Sequence, residues 1–259
     1  MMKKYGALFG LILGLSAIFG SYLMEGGSAE TLFLVAPILI VFGGTFAAVI
    51  IGFGLDQFIN IFALAKKAYF PAKYDNRKLI ATYYDLAVKA RKKGLLSVEE
   101  DISKLEYVFP KKLIRFLVDG ALVETVESIA VLEMRIMKER HYNNAFIFSK
   151  MGGYAPTMGI LGTVMALILT LANVGSDPNV LIRNIATAFI ATLWGVLSAN
   201  LLWLPISDKL KKCHLNEKHM MEIALEGTLG LMSGEIPLVV KTRLVSLLPQ
   251  KEQQEMLDL

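Results

Sequence analysis

Ionisable residues are absent from four long stretches of this chain and frequent between them. Asp, Glu, Lys, Arg and His are missing throughout residues 5–24, 31–55, 151–176 and 184–207. A helix crosses a bilayer with roughly 20 consecutive apolar residues, and each stretch reaches about that length. The pattern therefore predicts four membrane spans, arranged as two close pairs on either side of a charged segment at 56–150.

The charged segment between the pairs has apolar residues at helical spacing, so it is predicted to fold rather than remain disordered. Its first helix ends at Gly94 after three cations, an order typical of helix C-termini. Ser97 with Glu100 fits a capping box that opens a second helix, and Pro110 fits the first position of a third. The apolar face of the first helix consists of Leu79, Ile80, Tyr83, Leu86, Ala87 and Ala90.

A long amphipathic helix is predicted over 122–140, and we expect it to continue toward the third span. After the fourth span, 209–231 is predicted to be helical, Gly234 and Pro237 end that helix, and 238–248 forms a short last helix. No segment shows the strict alternation of a half-buried strand. The apolar face of the long helix consists of Val126, Ile129, Leu132 and Ile136.

The distribution of cations predicts the orientation in the membrane. Between Asp56 and Lys150 there are 17 Lys and Arg residues against 12 Asp and Glu. By contrast, the turn at 25–30 has two acids and no base, and the connection between spans three and four has only Asp177 and Arg183. Because Lys and Arg collect in cytoplasmic loops, both termini and the large loop are predicted to be cytoplasmic.

The predicted fold class is therefore an all-α membrane protein. It has four transmembrane helices, a large helical cytoplasmic loop between spans two and three, and a helical C-terminal tail. We expect a transmembrane hairpin at 1–55, a cytoplasmic helical domain at 56–150, a second transmembrane hairpin at 151–207 and cytoplasmic helices at 208–259. Small residues recur at four-residue spacing in every span, which lets helices approach closely within the chain or between chains.

Composition agrees with a membrane protein and excludes several functions. Hydrophobic residues make up 54% of the chain and charged residues only 19%, which is more apolar than an ordinary soluble domain. The net charge of +4 is too small to indicate nucleic-acid binding. The sequence has no phosphate-binding loop, no nucleophile elbow and no metal-spaced Cys/His cluster, so it predicts no enzyme, no cofactor and no metal site.

Polar residues are concentrated in the third and fourth spans. In the third, Pro156, Thr163 and Thr170 recur every seven residues and so share one helix face. A threonine in such a helix either bonds the carbonyl four residues earlier or contributes to a polar path for water or ions, and the clustering favours the second interpretation. A proline there is either a tolerated kink or a hinge. The polar residues and proline of the fourth span are Thr187, Thr192, Ser198, Asn200 and Pro205.

Four short segments are distinctive in their order and spacing: GYAPTMGILG at 153–162, AFIATLWG at 188–195, WLPISDKL at 203–210 and ARKKGLLSVEED at 90–101. Together they resemble the MotA family, the stator subunits of the bacterial flagellar motor. The resemblance covers nearly the whole chain, including its four spans and the size of its loop. It implies the all-α fold of the MotA/TolQ/ExbB superfamily and a place in the bacterial inner membrane.

The resemblance also implies partners and a mechanism. Five copies would surround two copies of a MotB-type subunit, whose single span lies in the central pore. That partner would supply the protonatable aspartate and a peptidoglycan-binding domain. Ion flow would turn the ring, and cytoplasmic helices would push on the switch-complex protein of the rotor. Membrane lipid is the remaining expected contact.

Individual residues match functional positions of the family. The pore-lining positions fall on Thr163 and Thr192, joined by Ala191 and Thr187 in the same polar stretch. The mechanistic prolines and the rotor-contact charges fall on Pro156, Pro205, Arg91 and Glu99. From the residues alone, Arg91 and Glu99 would be assigned to a solvated helix face.

The coupling ion is predicted from one position. Sodium-type relatives carry a threonine at the place of Ala191, whose methyl group supplies no oxygen ligand. Sodium needs oxygens to replace its hydration shell, so the sequence favours protons.

Two other functions fit parts of the pattern. An ExbB/TolQ-type energiser of outer-membrane processes usually has three spans and an outside N-terminus, which the hairpin at 5–55 argues against. A non-conducting membrane scaffold would not need the polar residues of spans three and four. No span contains an ionisable group, so an ion-conducting function requires a titrating carboxylate from another subunit.

Overall fold

The computed structural model describes residues 2–173, 175 and 177–257, with side chains placed from Gly6 to Met256. The chain is an all-α membrane protein, 88% helical, with no strand in those ranges. Four helical stretches are long and apolar enough to cross a membrane: Gly6–Met24, Ala29–Phe53, Val123–Ala172 and Pro178–Met232. The predicted end of the third span at Ser176 lies outside the described residues, as do Met1, Asp258 and Leu259.

The helices, in chain order, are α1 (Met2–Met24), α2 (Ala29–Leu32), α3 (Val35–Ile38), α4 (Gly44–Phe53), α5 (Leu55–Tyr69), α6 (Asn76–Lys93), α7 (Val108–Val118), α8 (Val123–Ala172), α9 (Pro178–Ser198), α10 (Leu204–Met232), α11 (Pro237–Ser246) and α12 (Gln250–Leu257). A π-helical turn at Leu39–Gly43 joins α3 to α4, and a second at Ala199–Trp203 joins α9 to α10. A 3₁₀ helix occupies Leu95–Lys104.

The chain divides into two compact units. The first unit contains residues 1–72 and 141–213, and the second contains 73–140 and 214–259. The first unit buries a core built around Val41, Phe148 and Trp203. The second unit has its own core, in which α6, α7 and α11 bury residues such as Ile80, Leu113 and Leu244.

The second span is broken near its start, although the sequence predicted one continuous span over 31–55. Helix α2 ends at Leu32, Phe33 leaves the helical conformation, and α3 begins at Val35. Pro37 explains the break, because it has no N–H to donate to the carbonyl of Phe33 four residues earlier. Proline is tolerated in the first turn of a helix, which is where Pro37 lies in α3.

A tryptophan from another span satisfies the backbone at this break. The indole Nε1 of Trp194 in α9 donates a hydrogen bond to the carbonyl oxygen of Leu32, at 2.7 Å. The rings of Phe33 and Phe19 pack beside Trp194, with centroids 5.5 and 6.1 Å away. In hydrocarbon an unsatisfied carbonyl costs several kcal/mol, so Trp194 stabilises a backbone that the span itself cannot satisfy.

The second unit is held at its centre by a buried hydroxyl pair. The hydroxyl of Tyr83 on α6 lies 3.0 Å from Oγ1 of Thr228 on α10, which also donates to the carbonyl of Ala224. Burial raises the pKa of the Tyr83 phenol, so it stays neutral. A Cβ at Gly227 would lie 2.6 Å from the Tyr83 ring, so the glycine makes room for the aromatic side chain.

Several sequence predictions are confirmed. Helix α6 ends at Gly94, whose φ of +84° favours glycine, and Gly234 has a φ of +67° after the end of α10. The amphipathic helix predicted at 122–140 does continue into the third span, since α8 is one helix of 50 residues.

Other predictions are wrong in detail. Ser97 does not open a capping box with Glu100, because the 3₁₀ helix already begins at Leu95 and the Ser97 hydroxyl donates back to the Gly94 carbonyl at 2.6 Å. Pro110 is the third residue of α7, not the first. It still lies in the first turn, where its missing N–H has no partner within the helix.

The apolar face of α8 and the tail also differ from prediction. Leu132 and Ile136 are about half exposed, whereas Val126, Ala130 and Met137 are buried. The buried face of α8 therefore includes Ala130 in place of Leu132 and Ile136, and the spacing of large apolar residues did not predict this. Helix α10 begins before the predicted start of the 209–231 helix, and α12 was not predicted.

We expect Trp194→Phe to lower the free energy of unfolding by about 1–3 kcal/mol, because the Leu32 carbonyl is left unsatisfied. Amide exchange at residues 29–35 should accelerate, because the Leu32 carbonyl loses the indole donor. The measurement is chemical unfolding with hydrogen exchange, in detergent micelles.

Trp203→Phe is the matched control, because the Trp203 indole Nε1 is buried and has no hydrogen-bond partner among the described residues. Its exchange at 29–35 should match that of the unaltered chain. Equal acceleration in both variants would contradict a specific role for the Trp194 hydrogen bond.

Candidate functional site

Helices α8 and α9 meet at two glycines, and this contact positions the polar residues of both spans. A Cβ at Gly159 would lie 2.9 Å from the carbonyl oxygen of Ala191. A Cβ at Gly195 would lie 2.8 Å from the carbonyl oxygen of Ala155. Both obstacles are backbone atoms, which cannot rotate away, so only glycine allows the two helices to come this close.

The contact brings two of the predicted pore-lining residues together. Thr163 lies one turn after Gly159, and its Oγ1 is 2.6 Å from Oγ1 of Thr192. The same Thr163 oxygen is 3.1 Å from the carbonyls of Gly159 and Ala188. Thr163 is half-buried and Thr192 is exposed. The pair therefore presents a hydroxyl group on the surface of the span while remaining anchored to both helices.

The other two predicted pore-lining residues lie in different surroundings. Ala191 is fully buried, and a Cβ at Gly162 would lie 2.6 Å from its methyl group. A larger residue at position 191 would therefore press against α8. Thr187 is half-buried and donates to the carbonyl of Arg183 four residues earlier, at 2.8 Å. The Thr170 hydroxyl likewise donates to the carbonyl of Ala166. Thr187 and Thr170 therefore each make the local hydrogen bond that threonines make in helices.

Exposed apolar side chains lie on the same two helices as the Thr163–Thr192 pair. Phe189 is 72% exposed, and other large apolar residues on the same helices are exposed as well: Ile160, Val164, Leu167, Ile185 and Val196. Exposed apolar surface of this kind faces lipid or another protein. No group of His, Cys, Asp and Glu in the described part of the chain could hold a metal ion.

The two predicted hinge prolines interrupt the helices at different places. Pro156 lies inside α8, half-buried, and leaves the Gly152 carbonyl without its helical donor. Its Cα is 3.2 Å from the Cβ position of Gly195, so it packs directly on the contact with α9. Pro205 is exposed and follows the π-helical turn at Ala199–Trp203. Such wide turns accommodate local changes in the helical hydrogen-bond ladder.

The two predicted rotor-contact residues lie on one exposed segment of the second unit. Arg91 is in the last turn of α6, and Glu99 is in the 3₁₀ helix that follows Gly94. Both side chains are exposed, and neither forms an ion pair within the described ranges. Val98, fully buried, holds the 3₁₀ helix against the core.

Sequence reasoning missed the ion pairs that fix this segment. Lys89 Nζ is 2.8 Å from a carboxylate oxygen of Asp101 and 2.9 Å from one of Glu100. Lys104 Nζ is 2.6 Å from the other oxygen of Asp101. The hydrogen bonds from Lys104 and Lys89 hold the pKa of Asp101 below its ordinary value, and those to Asp101 and Glu100 raise the pKa of Lys89. The spacing of Lys89 and Asp101 fits no single-helix pattern, so the pair gives no local signal.

Comparisons with known proteins agree with these features. The model of the MotA/TolQ/ExbB proton channel family matches residues 100–223, and the model of the motility protein A N-terminal region matches 8–94. The chain is 33% identical to motility protein A of Bacillus subtilis, covering 95% of this chain and 92% of that protein. It is 31% identical to the chemotaxis protein PomA of Vibrio alginolyticus, covering 97% and 98%.

A solved structure has the same fold. The flagellar MotAB stator complex from Bacillus subtilis contains a chain that superposes with a TM-score of 0.90 at 32% identity. The superposition covers 96% of this chain and 98% of that one.

We expect Asp101→Asn to destabilise the second unit at neutral pH, because Lys89 and Lys104 lose their shared carboxylate. Asp101 has a lowered pKa in the folded state, so its contribution is present above the ordinary aspartate pKa and is lost as pH falls through the folded value. The difference in unfolding free energy between the two chains should therefore shrink on acidification.

The matched control is Asp85→Asn, since Asp85 is exposed on α6 and outside any ion pair in the described ranges. Its stability should follow that of the unaltered chain at every pH. A difference for Asp101→Asn that stays constant down to strongly acidic pH would contradict the ion-pair assignment.

Proposed function

This chain belongs to the MotA/TolQ/ExbB proton channel family, and we propose that it is a stator subunit of the bacterial flagellar motor. The observation that carries this proposal is the Thr163–Thr192 pair, a hydroxyl surface on two spans that contain no ionisable group. The likeness to motility protein A along nearly the whole chain favours the stator branch over an ExbB/TolQ-type energiser or a scaffold.

The titrating group must come from a partner. Spans three and four offer hydroxyls and exposed apolar surface but no carboxylate. The related Bacillus subtilis structure is a MotAB complex, and we infer a MotB-type partner here, with one span that carries an aspartate and a peptidoglycan-binding domain. Five copies of this chain around two such partners would put the Thr163–Thr192 pairs around a central pore.

Protons are the proposed coupling ion. Two hydroxyls in hydrogen-bond contact can pass a proton to a carboxylate or solvate it. They supply too few oxygens to replace the hydration shell of sodium. Ala191 adds only a buried methyl group. Thr187 shares the pore-lining role through its position on α9, although its hydroxyl is engaged with Arg183.

The chain is a multi-pass protein of the inner membrane, and we propose that both termini face the cytoplasm. Lys and Arg are concentrated in the large loop between the two pairs of spans, and such loops lie in the cytoplasm. The membrane hairpins would then be 1–55 and 151–207, and the cytoplasmic parts 56–150 and 208–259. On the cytoplasmic side, the exposed charges of Arg91 and Glu99 are positioned to engage the rotor.

Pro156 and Pro205 are the proposed mechanical hinges. Pro156 packs on the α8–α9 contact, so a bend there would change the position of the Thr163–Thr192 pair. Pro205 borders a π-helical turn, where the hydrogen-bond ladder already departs from the α-helical pattern.

Proton flux should require the partner. Reconstituted in liposomes with a pH-sensitive dye inside, the chain alone should not conduct, whereas the chain with its partner should. Thr163→Val should lower flux about tenfold, equivalent to about 1.4 kcal/mol of barrier.

The control is Thr170→Val, whose hydroxyl bonds only the carbonyl of Ala166 on its own helix among the described residues. It should conduct normally.

Motor speed should not change when sodium is withdrawn at constant proton-motive force, and a collapse of speed would overturn the assignment to protons.

Arg91→Glu should reduce torque several-fold in a bead assay without reducing the amount of protein in the membrane, because the charge at the rotor contact is reversed. Lys251→Glu, a charge reversal at another exposed cation, in α12, should leave torque unchanged. Full torque from the Arg91 variant would remove this residue from the rotor contact.

Pro156→Ala should abolish swimming while complexes still assemble, because alanine restores the N–H that bonds the Gly152 carbonyl and stiffens α8. Pro178→Ala is the control, since Pro178 is exposed at the first position of α9, where no helical bond is missing. Normal swimming by the Pro156 variant would refute the hinge.

A further inference from the structure

An apolar cavity of about 290 Å³ lies inside the first unit, away from the Thr163–Thr192 pair. It is partly open to its surroundings and is lined by α1, the end of α5, the second π-helical turn and the start of α10. This volume is close to the lower end of ligand pockets, about 300–1,000 Å³, so it fits one slender chain rather than a bulky molecule. Its lining includes Gly6, Gly10, Leu201, Ile206, Tyr69 and Lys209.

Glycines on α1 create the space. A Cβ at Gly6 or Gly10 would meet no atom within 4 Å. One turn further, a Cβ at Gly14 would lie 3.0 Å from the side chain of Leu201, so the two helices close together there. The open space along α1 therefore lies beside Gly6 and Gly10 and is limited by the close approach at Gly14.

The lining of the cavity includes two polar groups that have no hydrogen-bond or ion-pair partner among the described residues. Lys209 is half-buried and forms no ion pair within the described part of the chain. The hydroxyl of Tyr69, also half-buried, makes no hydrogen bond there either. Burial raises the pKa of the Tyr69 phenol, which keeps it a neutral donor. A half-buried cation is stabilised by an anion, and none of the described side chains supplies one here.

We propose that this cavity is a phospholipid site: one acyl chain fills the apolar pocket, and the phosphate accepts hydrogen bonds from Lys209 and Tyr69. The apolar lining matches the chain, and the unpaired cation matches an anionic headgroup. The proposal goes beyond the stator function. It rests only on the proposed orientation, which puts Lys209 at the cytoplasmic surface, where anionic lipids attract basic residues.

The test uses the full chain reconstituted in nanodiscs with a trace of photoactivatable phosphatidylglycerol that carries a diazirine on its acyl chain. Mass spectrometry locates the adducts. Labelling should concentrate in residues 6–11 and 201–209. Gly10→Leu should reduce labelling of 201–209 at least fivefold, because the leucine side chain occupies the cavity.

Gly20→Leu is the matched control. Gly20 is also on α1, a Cβ there also meets no atom within 4 Å, and it does not line the cavity. This variant should be labelled like the unaltered chain. The lipid site would be overturned if the Gly10 variant and the unaltered chain were labelled equally at 201–209. It would also be overturned if the unaltered chain were not labelled there, which is the result expected if another copy of the chain fills the cavity.

Lys209→Gln tests the headgroup separately. The unaltered chain should be labelled several-fold more by the phosphatidylglycerol probe than by a phosphatidylcholine probe with the same acyl chain. The variant should lose that preference while retaining labelling. A preference that survives in the variant would remove Lys209 from the site. None of these measurements depends on ion flow, so a failure of the lipid site can be distinguished from a failure of the stator function.

Discussion

The backbone contact between α8 and α9 at Gly159 and Gly195 is the constraint on which the rest of the membrane unit depends. A side chain at either glycine would push the helices apart, and Thr163 with Thr192 would separate. The contact also determines where Ala191 and Pro156 lie, since Ala191 packs against Gly159 and Pro156 packs against Gly195. Close packing of small residues replaces, in lipid, the hydrophobic effect that would bring helices together in water.

The fold class could be predicted from sequence because its signals are long and physically strict. A stretch without charge that is long enough to cross a bilayer has few alternatives, and a glycine with positive φ, such as Gly94, ends a helix reliably. The break in the second span had a signal too. Pro37 marks it, but a proline in an apolar run also fits a continuous kinked span, and the sequence does not show that the Trp194 indole bonds the Leu32 carbonyl at the break.

The site could be predicted only in part. Seven-residue spacing placed Thr163 on the face of Pro156, but nothing in either span indicated that Thr163 and Thr192 touch, because that depends on the register between two helices. The burial of Ala191 and the Lys89–Asp101 pair were unpredictable for the same reason. Helix periodicity describes one element at a time. It identified Leu132 and Ile136 as apolar without showing that this chain leaves them exposed.

The hydroxyl of Thr163 has one hydrogen and three oxygens within 3.1 Å: two carbonyls and Thr192. Its proton can therefore point toward its neighbour or toward the backbone with no movement of any heavy atom. Turning it reverses the local dipole, so Thr192 faces its surroundings either as a donor or as an acceptor. The wall formed by these two helices can thus change polarity while its shape stays fixed.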